Sequence, residues 1–166
     1  MKRTALALLA LFLAAAAHAE PPEVVSDLTT TPQGELVVHL SFITNASSDK
    51  LWHSLVSPAE LTRWAAPRVH VELKIGGLYE HHYRPNNPSG RRGMEGMRIT
   101  SLVPGKMLSY AGASATWVVW LIEPAGDQQV LHFYMLGTSE EWHEQGPGRL
   151  PTLVEMVEKL AKHVQP

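Results

Sequence analysis

The chain has no cysteine among its 166 residues, so neither a disulfide framework nor a thiolate-bound metal holds it together. It also lacks an excess of positive charge. Its 14 Lys+Arg stand against 16 Asp+Glu, a balance that argues against a nucleic-acid surface. Charged residues make up only 18% of the chain against 45% apolar, which excludes an intrinsically disordered composition. Internal repeats, coiled-coil heptads and low-complexity tracts are missing from the domain, as is any catalytic motif of high specificity. The nine histidines show no H-x-x-x-H or HExxH spacing, so no zinc or copper site is predicted.

Only one long apolar run is present, Leu6 to Ala17. At about a dozen residues it falls short of the roughly 20 needed to cross a hydrocarbon core. Lys2 and Arg3 precede it and Ala17-His18-Ala19 follows it, a charged start and a small-residue cleavage site that predict a secretory signal peptide over 1–19, cut after Ala19. A retained anchor is the alternative. Cleavage would leave 147 residues with 12 basic and 16 acidic groups, a formal charge of −4. A domain of that size buries about 68–70% of its unfolded surface and needs no staples. With no second run of spanning length, the expected destination is the periplasm or the exterior, with no membrane span after cleavage.

Residues 20–34 carry three prolines and Thr29-Thr30-Thr31 with little apolar periodicity, and read as an extended leader. The domain is expected over 35–166. Leu36, Val38, Leu40 and Phe42 alternate with polar or smaller residues, predicting the first strand. Ser47 or Ser48 can cap a helix carrying Leu51, Trp52, Leu55 and Val56, and Ser57-Pro58 with Glu60 reads as a capping box opening a second helix. Period-two patterns then predict strands over 68–75, 78–84, 94–102, 106–112, 116–123 and 129–136. After a Gly- and Pro-bearing loop at 146–148, Leu150, Leu153, Val154, Val157, Leu160, Ala161 and Val164 form one face of a C-terminal helix.

That order, β-α-α-β6-α, is α+β: a curved antiparallel sheet of about seven strands wrapped round one long helix. With Asp49-Lys50-Leu51-Trp52, Ser57-Pro58 through Leu61, Arg63-Trp64, Gly76-Gly77, Leu102 to Leu108 and the amphipathic C-terminal helix, the chain resembles the SRPBCC, or START-like (Bet v 1-like), helix-grip superfamily. Within it, the likeness is to the branch named for the activator of the ninety-kilodalton heat-shock chaperone's ATPase, the AHSA-type domain. Members of that branch are mostly cytoplasmic, whereas this chain reads as exported.

The resemblance implies a cavity between sheet and C-terminal helix that takes a small hydrophobic or amphipathic molecule. The odd rows of the strands are the candidates to line it: Tyr79, His81 and Tyr83; Met97 and Ile99; Trp117, Val119 and Leu121; Leu131, Phe133 and Met135; with Leu153 and Val157 from the helix. The alternative is that these rows are plain core. Adjacent strand residues point to opposite faces, so His81 and His82 cannot chelate one ion side by side, and no cofactor is implied. His81 is a weak candidate for acid–base chemistry with Tyr79 or Tyr83, as in a cyclase or hydratase. No partner carboxylate is identifiable. A protein-interaction module, similar to a co-chaperone, is the third reading. Arg91-Arg92 with Arg84 and Arg98 could meet an anionic head group or simply form a solvated loop. Trp52 and Trp64 are expected to pack helix against sheet rather than stack on a ligand. Glu140, Glu141, His143 and Glu144 are read as a loop cluster, and Asn45-Ala46-Ser47 fits both a glycosylation site and a helix start.

Overall fold

A computed structural model describes residues 22–112 and 116–165; the expected signal peptide and its cleavage site lie outside the described residues. Nine strands and three helices run in the order β1 (Val25–Thr30), β2 (Leu36–Thr44), α1 (Ser48–Val56), α2 (Pro58–Trp64), β3 (Arg68–Val71), β4 (Tyr79–His82), β5 (Gly93–Met94), β6 (Arg98–Val103), β7 (Met107–Ala111), β8 (Thr116–Ala125), β9 (Gln128–Gly137) and α3 (Glu140–His163). Six strands form one antiparallel sheet in the order β1-β2-β9-β8-β7-β6, and β3-β4-β5 form a second. The two sheets abut: Tyr79 N–H donates to the Met97 carbonyl and Ile99 N–H to the Gly77 carbonyl, both at 2.9 Å. The large antiparallel sheet with its long C-terminal helix is the expected helix-grip architecture.

Alternation builds the core directly. On β2 the side chains of Val38, Leu40 and Phe42 are buried, and across the ladder Leu40 stands opposite Phe133 and Phe42 opposite Leu131. α1 and α2 cover one part of this sheet with Leu51, Leu55 and Leu61, all buried. α3 packs chiefly on β2. At its start Trp142 is buried and donates Nε1–H to the Leu36 carbonyl at 2.8 Å, while near its end Leu160, Ala161 and Val164 are fully buried.

Three strand expectations differ from what is found. The segment 25–30 is a strand: it ladders onto β2 from Val25 opposite Ser41 to Thr30 opposite Leu36. All six residues remain exposed, so backbone pairing rather than apolar burial holds the strand and no side-chain pattern announces it. β3 ends at Val71, not Ile75, because Glu72 turns the chain back, its N–H donating to the Leu78 carbonyl at 2.8 Å and its carboxylate accepting from Leu78 N–H at 3.3 Å. Leu73 and Ile75 are left 46% and 63% exposed. The strand expected over 94–102 divides into β5 and β6, with Gly96 between them bonded to the Glu80 carboxylate at 2.7 Å.

The helix caps differ as well. Ser47 caps α1 through Oγ, which accepts from Lys50 N–H at 3.2 Å, but Ser57 makes no side-chain cap on α2. The Glu60 carboxylate that would complete the box is held instead by His163 of α3 at 2.8 Å and by Arg63 at 3.1 Å. α3 itself starts eight residues before the expected loop is over, capped by Ser139 Oγ accepting from Trp142 N–H. Gly146, Pro147 and Gly148 lie inside it. A Cβ on Gly146 would sit 2.9 Å from Leu36 Cδ2 and 3.2 Å from the Trp142 ring, so the glycine is there for close helix–sheet approach. A helix-breaking composition in sequence thus marks a contact in space.

Candidate ligand cavity

Between the middle of α3, the end of α2 and the second sheet lies a cavity of about 590 Å³, within the size range of drug-sized ligand sites. Its walls are apolar and aromatic: Trp64 from α2, Met94 and Met97 around β5 and β6, Tyr110 from β7, Val118 from β8, Phe133 and Met135 from β9, Leu153 and Met156 from α3. Exposed residues rim it, among them Tyr83, Arg149, Thr152, Glu155 and Lys159. At the rim Lys159 and Glu155 are paired, with Lys159 Nζ 2.8 Å from the Glu155 carboxylate.

The polar side chains on the walls are few. Tyr110 accepts from Trp120 Nε1–H at 3.2 Å, and burial pushes its phenol up, so it stays protonated. His81 is 2% exposed and its Nε2 has no hydrogen-bond partner among the described residues. Burial, with the neighbouring charge of His82 second, brings its imidazole down to about 4, so it is neutral at physiological pH. The ring is tilted against Tyr79 at 5.1 Å and meets Tyr83 edge-on at 6.4 Å. His82, on the opposite face of β4, is bonded through Nε2 to Glu80 at 3.2 Å, as period-two geometry requires.

Of the residues expected to line a pocket, His81, Tyr83, Met97, Phe133, Met135 and Leu153 do so. Tyr79, Ile99, Leu131 and Val157 are buried in the core instead. Tyr79 spends its hydroxyl on the Leu55 carbonyl at 2.6 Å and stacks on Tyr110 at 4.4 Å. The β8 row is a correction. Trp117 is 40% exposed, and Val119 and Leu121 share its outer face, while Thr116, Val118, Trp120 and Ile122 point inward. The register explains it: Val118 stands opposite Met135 and Trp120 opposite Phe133, and directly opposed residues share a face. An odd row on β9 therefore continues as an even row on β8.

The other candidates fall away from the cavity. Arg92 and Arg98 bond to the Asn87 and Gly76 carbonyls, and neither they, Arg84 nor Arg91 is among the lining residues. Trp64 does pack helix to sheet, donating to the Ser54 carbonyl at 3.0 Å and meeting Trp120 edge-on at 6.1 Å, yet it also lines the cavity. Glu140, Glu141, His143 and Glu144 lie in the first turns of α3. Among the described residues no three potential ligands converge on a point suited to a metal ion.

A family model described as activator of Hsp90 ATPase homolog 1-like protein matches residues 45–165. No curated protein matches significantly. Similar solved structures include CalU16 from Micromonospora echinospora, 19% identical over 87% of each chain with a TM-score of 0.58. A conserved protein of unknown function, EF2215 from Enterococcus faecalis, is 16% identical over 84% of this chain and 77% of its own, at 0.62. The Aha1 dimer from Colwellia psychrerythraea is 16% identical over 78% of this chain and 96% of its own, at 0.61. At these identities the likeness is one of fold.

Proposed function

We propose, for a chain that belongs to the family of activator of Hsp90 ATPase homolog 1-like proteins, that it is exported and holds a hydrophobic or amphipathic small molecule in the cavity under α3. The observation that carries this reading is a space of about 590 Å³ walled by aromatic and methionine side chains. Burial of a ligand's apolar surface there is worth about 25 cal/mol per Å² before association costs are subtracted. The export half of the proposal rests on the first nineteen residues alone. Among the described residues no helix is long and apolar enough to cross a membrane.

Binding is favoured over catalysis by the state of the groups that would act. Tyr79, a potential proton donor, has its hydroxyl bonded to the Leu55 carbonyl. His81 has no carboxylate partner among its hydrogen bonds, and an imidazole brought down to about 4 is a weak base at neutral pH. The interaction-module reading leaves the cavity without a use, and an exported chain would not meet an ATP-driven cytoplasmic chaperone. Native mass spectrometry of the protein isolated from its own cell envelope tests the proposal, with N-terminal sequencing of the same sample. A copurifying mass released by organic extraction, on a chain beginning at Glu20, is the expected result. A ligand-free protein that also fails to bind apolar fluorescent probes would refute the cavity's role, and an intact Met1 would refute processing.

A further inference from the structure

An antiparallel sheet with helices on one side commonly turns polar residues to the other. The six-stranded sheet departs from this. Its inner face carries the buried row Val38, Leu40 and Phe42, and α3 meets that side at Leu36. On the outer face of β1, β2, β9 and β8, Val25, Ile43 and Trp117 stay 62%, 53% and 40% exposed. Val37, Val119, Leu121, Val130 and Leu136 share that face with them. A broad apolar patch is rare on a monomer and marks a binding surface. Among the described residues no Lys or Arg stands in these outer rows, so the face lacks the cations that hold a protein on an anionic lipid surface.

Extent and register both point to a second copy of this chain. The four strands hold six, nine, ten and ten residues. At about 3.3 Å per residue and about 4.8 Å between strands, they span on the order of 550 Å². Two such faces bring roughly 1,100 Å² together, above the ~1,000 Å² that a biological interface needs. β2 and β9 are the middle strands of the four, and on the outer face their ladder partners are alike in kind: Val37 with Leu136, His39 with Tyr134, Ser41 with His132, Ile43 with Val130. We propose that two copies of the chain stack outer face on outer face, about 10 Å apart, around a two-fold axis along the seam between β2 and β9. That axis sets β2 of one copy over β9 of the other at the same height, so each residue meets the second copy's version of its own ladder partner. Apolar side chains then meet apolar ones at both ends of the seam, and polar rings and hydroxyls meet one another in the middle. β1 falls over β8, which puts Val25 on Leu121 because both share the height of His132. The polar centre is ready to lose water, since its groups already satisfy one another: His39 Nε2 and His132 Nδ1 are hydrogen-bonded at 3.0 Å, His39 stacks on Tyr134 at 4.4 Å, and Glu123 meets the other nitrogen of His132 at 3.4 Å. Asp27 sits on the edge strand, at the rim, where its carboxylate accepts from Leu28 N–H at 2.9 Å.

The test is sedimentation velocity of the chain, as isolated from its own cells, over a concentration series at neutral pH. Wild type is expected to show a reversible monomer–dimer equilibrium. Ile43→Lys, at a position half open in the single copy, sets a charge against an apolar side chain across the axis and should weaken the dimer at least roughly tenfold. Leu73→Lys, an equally exposed apolar position in the turn after β3 and off this face, should leave it unchanged. Should Ile43→Lys not fold, Val25→Lys on the edge strand serves in its place, with the same loss expected. The register has its own readout, because the chain has no cysteine: mild oxidation of Val37→Cys mixed with Leu136→Cys should give a disulfide-linked dimer holding one of each, in preference to either variant alone. A wild type that sediments as a monomer at every concentration overturns the proposal, and if that monomer floats with phosphatidylglycerol vesicles the face belongs to a lipid surface instead. A dimer untouched by the lysine variants on the face overturns its location, and cross-linking by one cysteine variant alone as fast as by the mixture overturns the axis.

Discussion

Acid should weaken this fold through His81, and the size of the effect can be worked from its burial. The imidazole titrates near 6.5 when unfolded and at about 4 in the native protein, chiefly because burial disfavours its charged form. Between those two values the unfolded chain binds a proton that the folded one refuses, so stability rises with pH across that window. The contribution is complete above pH 6.5 and lost as pH falls to about 4, at 1.36 kcal/mol per unit, or about 3 kcal/mol in all. That is a large part of the 5–15 kcal/mol by which domains are usually stable. Urea unfolding of wild type and His81→Leu at several pH values across this range isolates it, since carboxylates common to both proteins cancel in the difference. The variant should gain on wild type progressively as the solution is acidified and not at all above pH 6.5. A difference that stays flat from pH 6.5 to 4, or a native His81 resonance that titrates near 6.5, would refute a buried neutral imidazole.

Other consequences are simpler to read. Ser47→Ala should cost about 1 kcal/mol in chemical denaturation, because Ser47 Oγ caps α1, whereas Ser57→Ala should stay within about 0.5 kcal/mol because no cap bond is made; equal costs would contradict the cap geometry. Gly146→Val should destabilise by about 1–3 kcal/mol, as its branched side chain meets Leu36 and Trp142 where even a Cβ is tight; an unchanged midpoint would mean that α3 does not approach β2 so closely. Met135→Trp should fill the cavity and lower apolar-probe affinity at least roughly tenfold, a loss of about 1.4 kcal/mol, with a cooperative unfolding transition retained. Trp117→Ser, on the outer face of β8, should leave probe affinity unchanged; its loss would restore the inward orientation expected from sequence.

Legibility in sequence followed the strength of side-chain constraint. β2, the two short helices and the C-terminal face of α3 were readable because burial selects their apolar residues at fixed intervals. β1 was not, since its six side chains are exposed and only its backbone is engaged. Leu73 and Ile75 continued a perfect alternation past the point where Glu72 turns the chain, showing that a pattern permits a strand without compelling one. Around the cavity, strand parity selects the rows that carry His81, Tyr83, Met97 and Phe133, all of which line it, but on β8 it selects the outer face. The missing information was the tight Gly126-Asp127 connection between β8 and β9: a two-residue turn sets which rows oppose, and Trp120 then has to join Phe133. Trp64 was placed in packing only, because one side chain can both seal a helix against a sheet and leave its remaining surface to a cavity.

Why a cavity persists at all follows from the two ends of α3. At the start, Gly146 and Trp142 bring the helix hard against Leu36 of β2; at the end, Val157, Leu160, Ala161 and Val164 close on the core, and His163 ties the last turn to Glu60 of α2. Along the middle runs a neighbouring stripe at helical spacing, Arg149, Thr152, Leu153, Met156 and Lys159, whose members line the space. A helix pinned at both ends is too stiff to sag into the gap between them, and its backbone bonds would have to break to do so. Val118, Phe133 and Met135 line the same space from the sheet. Filling the gap therefore takes a bulkier side chain on one wall or a guest from outside, and the apolar surface left uncovered in its absence supplies the driving force for the guest.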